Sequence, residues 1–254
     1  MCTDSDADTG TDPLMARARH LWESLAGVPV SFASGGGPTV VTAPASALAP
    51  PGWVGTVLLG DAALVTAPTD DVAHAVRRAL AGVPTPSLTD PGAVARVWRV
   101  AEVLGPATLA YLSADDFHPT APGAAEAERL PAGHGDLHRL LASVSEEDAG
   151  ECGLDGITSP GFVVRDGAAV VAAAGYGNWP GNTAHLCVLT APRARGRGLA
   201  GQVASAATAH ALAAGLLPQW RARPAASRRV AGALGFRELG AQLSVRGTQS
   251  PTIS

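Results

Sequence analysis

Arg193-Ala-Arg-Gly-Arg-Gly198 places three guanidinium groups and two glycines immediately before a run with helical apolar spacing, Leu199–Ala214. The chemistry such a junction favours is anion binding. The first N–H groups of a helix have no partner within it, and the helix dipole concentrates partial positive charge there. Glycine at 196 and 198 lets the backbone approach a phosphate with no Cβ in the way. Arg193, Arg195 and Arg197 add charge-assisted hydrogen bonds. Together these residues suit a pyrophosphate. Two common phosphate binders are excluded. A P-loop ends in Gly-Lys-Ser/Thr, and the chain contains no lysine. A dinucleotide fold carries its glycines early, after the first strand of a βαβ unit, whereas these come late. A pattern this short also describes a solvated arginine-rich turn, so its surroundings must decide.

Those surroundings form an ordered set of elements. Gly161–Arg165 and Ala168–Tyr176 flank Asp166-Gly167, a tight-turn signal, and predict a hairpin. A Gly/Pro/Asn loop at 177–182 and a strand at Ala184–Thr190 lead into the arginine loop. After the helix at Leu199–Ala214 come a strand at Leu217–Ala222, a helix at Ala225–Leu234 and a strand at Phe236–Val245. Short helices are expected at Asp136–Ser143 and Glu146–Glu151. Hairpin, strand, helix, strand, helix, strand is the order of an α/β fold with a mixed sheet and helices packed on it.

With that order in view, residues 160–245 resemble the GCN5-related N-acetyltransferase (GNAT) superfamily. The run from Val188 through Ala200 resembles its motif A, the strand, pyrophosphate loop and helix that hold acetyl-CoA. Ser227-x-x-Val-Ala-x-x-Leu-Gly-Phe236 resembles motif B, about thirty residues further on. The extra N-terminal region resembles that of two-part bacterial GNAT proteins. The resemblance implies acetyl transfer from acetyl-CoA to an amine, directly, with both substrates bound. It implies that backbone groups of Val188, Leu189 and Thr190 pair with the pantetheine arm. Backbone N–H groups over Arg195, Gly196, Arg197, Gly198, Leu199 and Ala200 would hold the pyrophosphate. No metal is implied.

Proton handling departs from the family pattern. Many relatives carry a Tyr five residues before the motif B Phe, where this chain has Ala231. An Asn common three residues before the motif B Ser is replaced by Pro224. Ser227 is then the nearest polar candidate for the acid, and a helix N-cap is its other reading. His185 is the candidate base, since a neutral imidazole could take a proton from an ammonium acceptor. Its other reading is a strand-end histidine bound to backbone or solvent. Trp179 is a candidate wall of the acceptor pocket. His134-x-Asp-x-His138 invites a metal reading, but no third ligand cluster accompanies it, so capping and surface roles are expected.

The chain has 254 residues, 46% hydrophobic and 16% charged, a globular composition with room for one large domain or two modest ones. A net charge of −4 argues against a general nucleic-acid surface. The three cysteines show no ligand spacing and fit a reducing compartment. No stretch reaches the ~20 apolar residues of a membrane helix, so a cytoplasmic protein without nucleic-acid or membrane partners is expected. Residues 1–12 read as a disordered tail, 13–120 as an N-terminal α/β domain, and 124–247 as the GNAT domain. Within 13–120, a helix is expected at Leu14–Ala26 and strands at Thr39–Thr42 and Gly55–Thr66, the latter a hairpin turning at Gly60-Asp61. Helices at Thr69–Leu80 and Asp90–Leu104 and a strand at Ala107–Leu112 follow, and Gly35-Gly36-Gly37-Pro38 reads as a turn. This region is expected to shape the acceptor side or a homodimer contact, or to be a degenerate copy of the same fold. A small-molecule amine is the expected acceptor.

Overall fold

The computed structural model describes residues 12–33, 37–120 and 127–248. Residues 1–11 of the tail expected at 1–12, the Gly35-Gly36 part of the turn, and the first residues of the 124–247 domain lie outside these.

Capping side chains start the helices where the sequence provides them. Asp12 accepts a hydrogen bond from the Leu14 N–H at the start of α1 (Pro13–Leu25), and Thr69 accepts one from Val72 at the start of α2 (Asp70–Leu80). Between them run β1 (Thr39–Thr42) and the hairpin of β2 (Val54–Leu59) and β3 (Ala62–Ala67), which turns at Gly60-Asp61. After α3 (Pro91–Val97) comes β4 (Val100–Tyr111). The C-terminal part continues with β5 (Glu128–Leu130), α4 (Gly135–Leu141), α5 (Glu146–Cys152), β6 (Gly161–Asp166) and β7 (Ala169–Trp179). It ends with β8 (Thr183–Thr190), α6 (Leu199–Ala213), β9 (Leu217–Ala222), α7 (Ala225–Ala233) and β10 (Arg237–Gly247).

The expected helix over Asp90–Leu104 is corrected. It stops at Val97, and residues from Val100 belong to a strand that continues to Tyr111. Gly105-Pro106 in mid-strand hid this. Both residues oppose the single Leu243 of β10, a bulge that accommodates a proline without a ladder N–H. The loop expected from Gly177 also begins later, because β7 runs on to Trp179.

All ten strands form one sheet in the order β1-β3-β2-β10-β4-β9-β8-β7-β6-β5. The sheet runs across the expected division at 120/124. Strand β4, from the N-terminal half, sits between β9 and β10, and β10 in turn pairs with β2. Helices cover both faces. On one face α6 and α7 bury Leu186, Trp220 and Phe236, and α2 and α3 bury Val54, Val65 and Val245. On the other face α1 packs over Leu59, Leu109, Tyr111 and Leu217, and α4 packs over Val163, Val171, Ala173 and Leu189.

Strand β10 tolerates little bulk where it meets β2. A Cβ on Gly240 would lie 1.8 Å from the Leu58 carbonyl oxygen. Gly240→Ala is therefore expected to cost about 3 kcal/mol or more, by backbone displacement in mid-sheet. Urea denaturation measures this, and an unchanged midpoint would contradict the packing described.

Candidate active site

Strands β8 and β9 are parallel and pair at only three positions, Thr183↔Leu217, Ala184↔Pro218 and His185↔Gln219. Beyond these they part. Leu186–Thr190 stays paired with β7, and Trp220–Ala222 stays paired with β4, so each strand is held on its far side while a gap opens between them. Alternation in the antiparallel ladder then fixes which groups face the gap. The Ala191 N–H donates to Val171 of the β7 side, so 189 and 187 also point toward β7, and Val188 and Thr190 point away from it, into the gap. Of the three strand residues expected to pair with a pantetheine arm, Val188 and Thr190 thus present their backbone there, and Leu189 does not. The Thr190 hydroxyl is buried without a hydrogen-bond partner.

The gap leads to the arginine-glycine loop. A 3-10 turn at Pro192–Ala194 is followed by Gly196 at φ +77° and Gly198 at φ +75°, and Gly198 caps α6 with no side-chain hydrogen bond. The N–H groups at the start of α6 thus have no side-chain acceptor at the cap. A Cβ at either glycine would meet nothing within 4 Å, so the space above the loop is open. The backbone therefore fits a pyrophosphate, as a helix N-terminus behind left-handed glycines does. Two of the arginine side chains are engaged elsewhere. Arg195 pairs with Asp148 at 2.8 Å and donates to the Thr190 carbonyl, and Arg197 pairs with Asp166 at 3.3 Å. Helix α5 supplies Asp148 and also Glu151, which pairs with Arg223 just after β9. It braces both sides of the gap.

His185 lies at the root of the gap, on the face covered by α1 and α4. Its ring stacks on Trp179 with centroids 4.0 Å apart, and its Nδ1 meets the Gln219 side chain at 2.5 Å. Trp179 also contacts Trp22 edge-on and lies beneath the Arg221 guanidinium. The Trp22 indole donates to the Tyr111 hydroxyl at 2.6 Å, and both residues are fully buried. Burial, and secondarily the charge of Arg221, lower the His185 pKa to about 4. Such an imidazole is neutral at pH 7. That makes it a weak base toward an ammonium acceptor, the role expected for it.

Ser227 lies on the opposite face. It accepts a hydrogen bond from the Trp220 indole at 2.9 Å, and Pro224 occupies the cap position expected for it. The sheet thus separates Ser227 from His185. Ala231 is buried among the core residues under α7. In the HxDxH segment, the His134 ring accepts from the Asp136 N–H and Asp136 pairs with Arg165 and Arg139, which are capping and surface roles. Sequence reasoning missed Gln219, Tyr111 and Trp22. A buried Gln in an apolar strand was the one available signal.

The fold is a mixed α/β sheet in which two parallel strands part just before a loop with two left-handed glycines. Residues 157–241 match the family model described as GNAT acetyltransferase. Over this stretch, about a third of the chain, the sequence is similar to a family of acetyltransferases. No curated protein matches the chain. Among solved structures, a GNAT-family protein from Novosphingobium aromaticivorans is 24% identical, covering 58% of this chain and 65% of its own, with a TM-score of 0.47. A GCN5-related N-acetyltransferase from Kribbella flavida is 14% identical, covering 78% and 90%, with a TM-score of 0.49. A GNAT-family acetyltransferase from Colwellia psychrerythraea is 14% identical, covering 65% and 63%, with a TM-score of 0.43. The chain spans just under two thirds of the Novosphingobium and Colwellia proteins. Among the described residues, no helix is long and apolar enough to cross a membrane.

The depressed His185 pKa has a consequence for stability. Unfolding restores a value near 6.5, so between pH 6.5 and about 4 the unfolded chain binds the extra proton. Stability is then fully present above pH 6.5, falls as pH drops through this window, and levels off below pH 4. Denaturation midpoints should show this component in the native chain and lose it in His185→Gln; identical pH profiles would contradict it.

Proposed function

We propose that this protein transfers an acetyl group from acetyl-CoA to an amine of a small molecule, directly between the two bound substrates. The observation that carries this is the separation of β8 from β9 after His185↔Gln219, opening onto the Gly196–Gly198 loop. Acetyl-CoA bound there supplies the activated thioester. The backbone of Val188 and Thr190 would hold the arm, and the N–H groups from Arg195 to Ala200 would hold the pyrophosphate. Donors already aimed into such a gap need no reorganisation as charge develops on an oxygen. Holding both reactants at one gap supplies orientation, the term direct transfer depends on most.

The acceptor would enter on the face of His185 and Trp179, between α1 and the α4–α5 pair. The cover given by α1 supports a small molecule, and protein acetylation would need a wider approach. Since His185 is neutral, the amine would arrive uncharged or lose its proton to water. A cofactor binder without turnover is the second reading, and buried Ala231 with the engaged Ser227 hydroxyl favours it.

Two measurements test this. Free thiol released from acetyl-CoA across a broad amine panel separates turnover from binding alone, and a panel in which no amine elicits thiol release would end the transfer proposal. Gly198→Val should abolish CoA binding by calorimetry. It forces a β-branched residue to positive φ, at a cost of about 1–3 kcal/mol, while circular dichroism stays native because nothing lies within reach of the new Cβ. Unchanged affinity would remove the loop from the site.

A further inference from the structure

Side chains of β9 alternate between the two faces of the sheet. Trp220 and Ala222 lie under α6 and α7, while Leu217 packs on the α1 side and Gln219 meets His185. Arg221 is therefore on the His185 face. It stands two residues past Gln219, the last residue of β9 to pair with β8, so it flanks the opening between the strands. Its neighbours in charge are neutralised: Arg195, Arg197 and Arg223 each hold a carboxylate. Arg221 has no carboxylate partner among the described residues. Its Nη1 donates to the Gln242 side-chain oxygen at 3.3 Å, and its guanidinium lies over the Trp179 ring, 5.8 Å from the centroid. Gln242 is itself fixed, because its Nε2 donates to the Leu48 carbonyl and leaves Oε1 for Arg221. The guanidinium is thus held from two sides while the residue stays exposed, with Nε and Nη2 lacking a protein partner.

We propose that Arg221 binds a carboxylate of the acceptor, so that the site takes amines bearing a carboxylate, amino acids among them. Nε and Nη2 form one edge of the guanidinium, two parallel N–H donors that match the two oxygens of a carboxylate. One free guanidinium compensates one negative charge, which fits a carboxylate better than a phosphate dianion. Among the described residues, no carboxylate bonds to Arg221, His185, Gln219 or Trp179, so a polyamine would meet only positive charge there. Arg221 draws the carboxylate and repels an ammonium, which turns the amine end away from it and toward the gap. Gln242 and Trp179 are the positioning residues of the guanidinium. That the amine is acetylated rests on the acetyl-transfer proposal; the carboxylate site does not.

Binding and turnover test the two separately. Calorimetry on the full chain with CoA present would use a panel of α- and ω-amino acids, each beside its carboxamide. The acid should bind more tightly than the amide by about 10- to 100-fold, the range of a charge-assisted hydrogen-bonded pair. Arg221→Gln should bring acid and amide to equal affinity, and Arg221→Lys, which keeps the charge without the fork, should retain part of the difference. A panel with no acid-selective binding would overturn the proposal, as would selectivity that survives in folded Arg221→Gln. In the thiol-release assay the same preference should appear in kcat/KM, and Arg221→Gln should lose it mainly through KM. Release with polyamines or uncharged amines in preference to amino acids would keep acetyl transfer and remove the carboxylate site. Acid-selective binding with no release from any amine would end the transfer proposal and leave the role of Arg221 standing.

Discussion

The feature on which everything else depends is a pair of parallel strands that stop bonding to each other while remaining bonded on their outer sides. A strand edge left open in mid-sheet exposes N–H and C=O groups that must find partners or stay solvated. Here β7 holds β8 and β4 holds β9 throughout, so the gap is not fraying. Helix α5 reinforces it from one face, with Asp148 tied to the loop after β8 and Glu151 tied to the segment after β9. The loop that follows β8 is placed by this geometry, and Gly198 opens α6 a few residues beyond the end of β8.

The N-terminal half is part of that construction. Strand β4 forms the outer support of β9, and its last residue, Tyr111, stands opposite Gln219. Helix α1 brings Trp22 to the same place and covers Leu109 and Leu217. Removing the region would strip β9 of one partner and expose the groove beside His185. The extra length of the chain therefore has a structural meaning at the site, where a detachable appendage would have none.

Local patterns made the C-terminal elements legible, because each carries its own signal: Asp166-Gly167 for the hairpin, Gly198 for the helix start, alternation for Leu217–Ala222. The anion loop was legible for the same reason. Pairing between distant strands leaves no such mark. Nothing near Val100 announces that it will lie against Gly247, and Gly105-Pro106 reads as a break until Leu243 is seen opposite the bulge. His185 could be singled out by its position at the start of the strand, but not its face of the sheet, which separates it from Ser227. Nor could its surroundings be read, since Trp22, Tyr111 and Gln219 come from three elements far apart in sequence. The ion pairs of Arg195 and Arg197 were illegible for a related reason: Asp148 and Asp166 lie on other elements, with no mark of the contact in the loop itself.

The electrostatics of the groove constrain the chemistry more than any single residue. Arg221 is a cation beside an imidazole already disfavoured from charging by burial, and both effects act in one direction on His185. A cationic ammonium brought to the same place meets the same two penalties, desolvation and a like charge. The environment therefore lowers the pKa of a bound amine as it lowers that of the histidine. An amine shifted downward is more often neutral at pH 7, and the neutral form is the one that attacks. In such a site the groove can promote deprotonation with no residue holding the proton, which is consistent with an imidazole as weakly basic as His185.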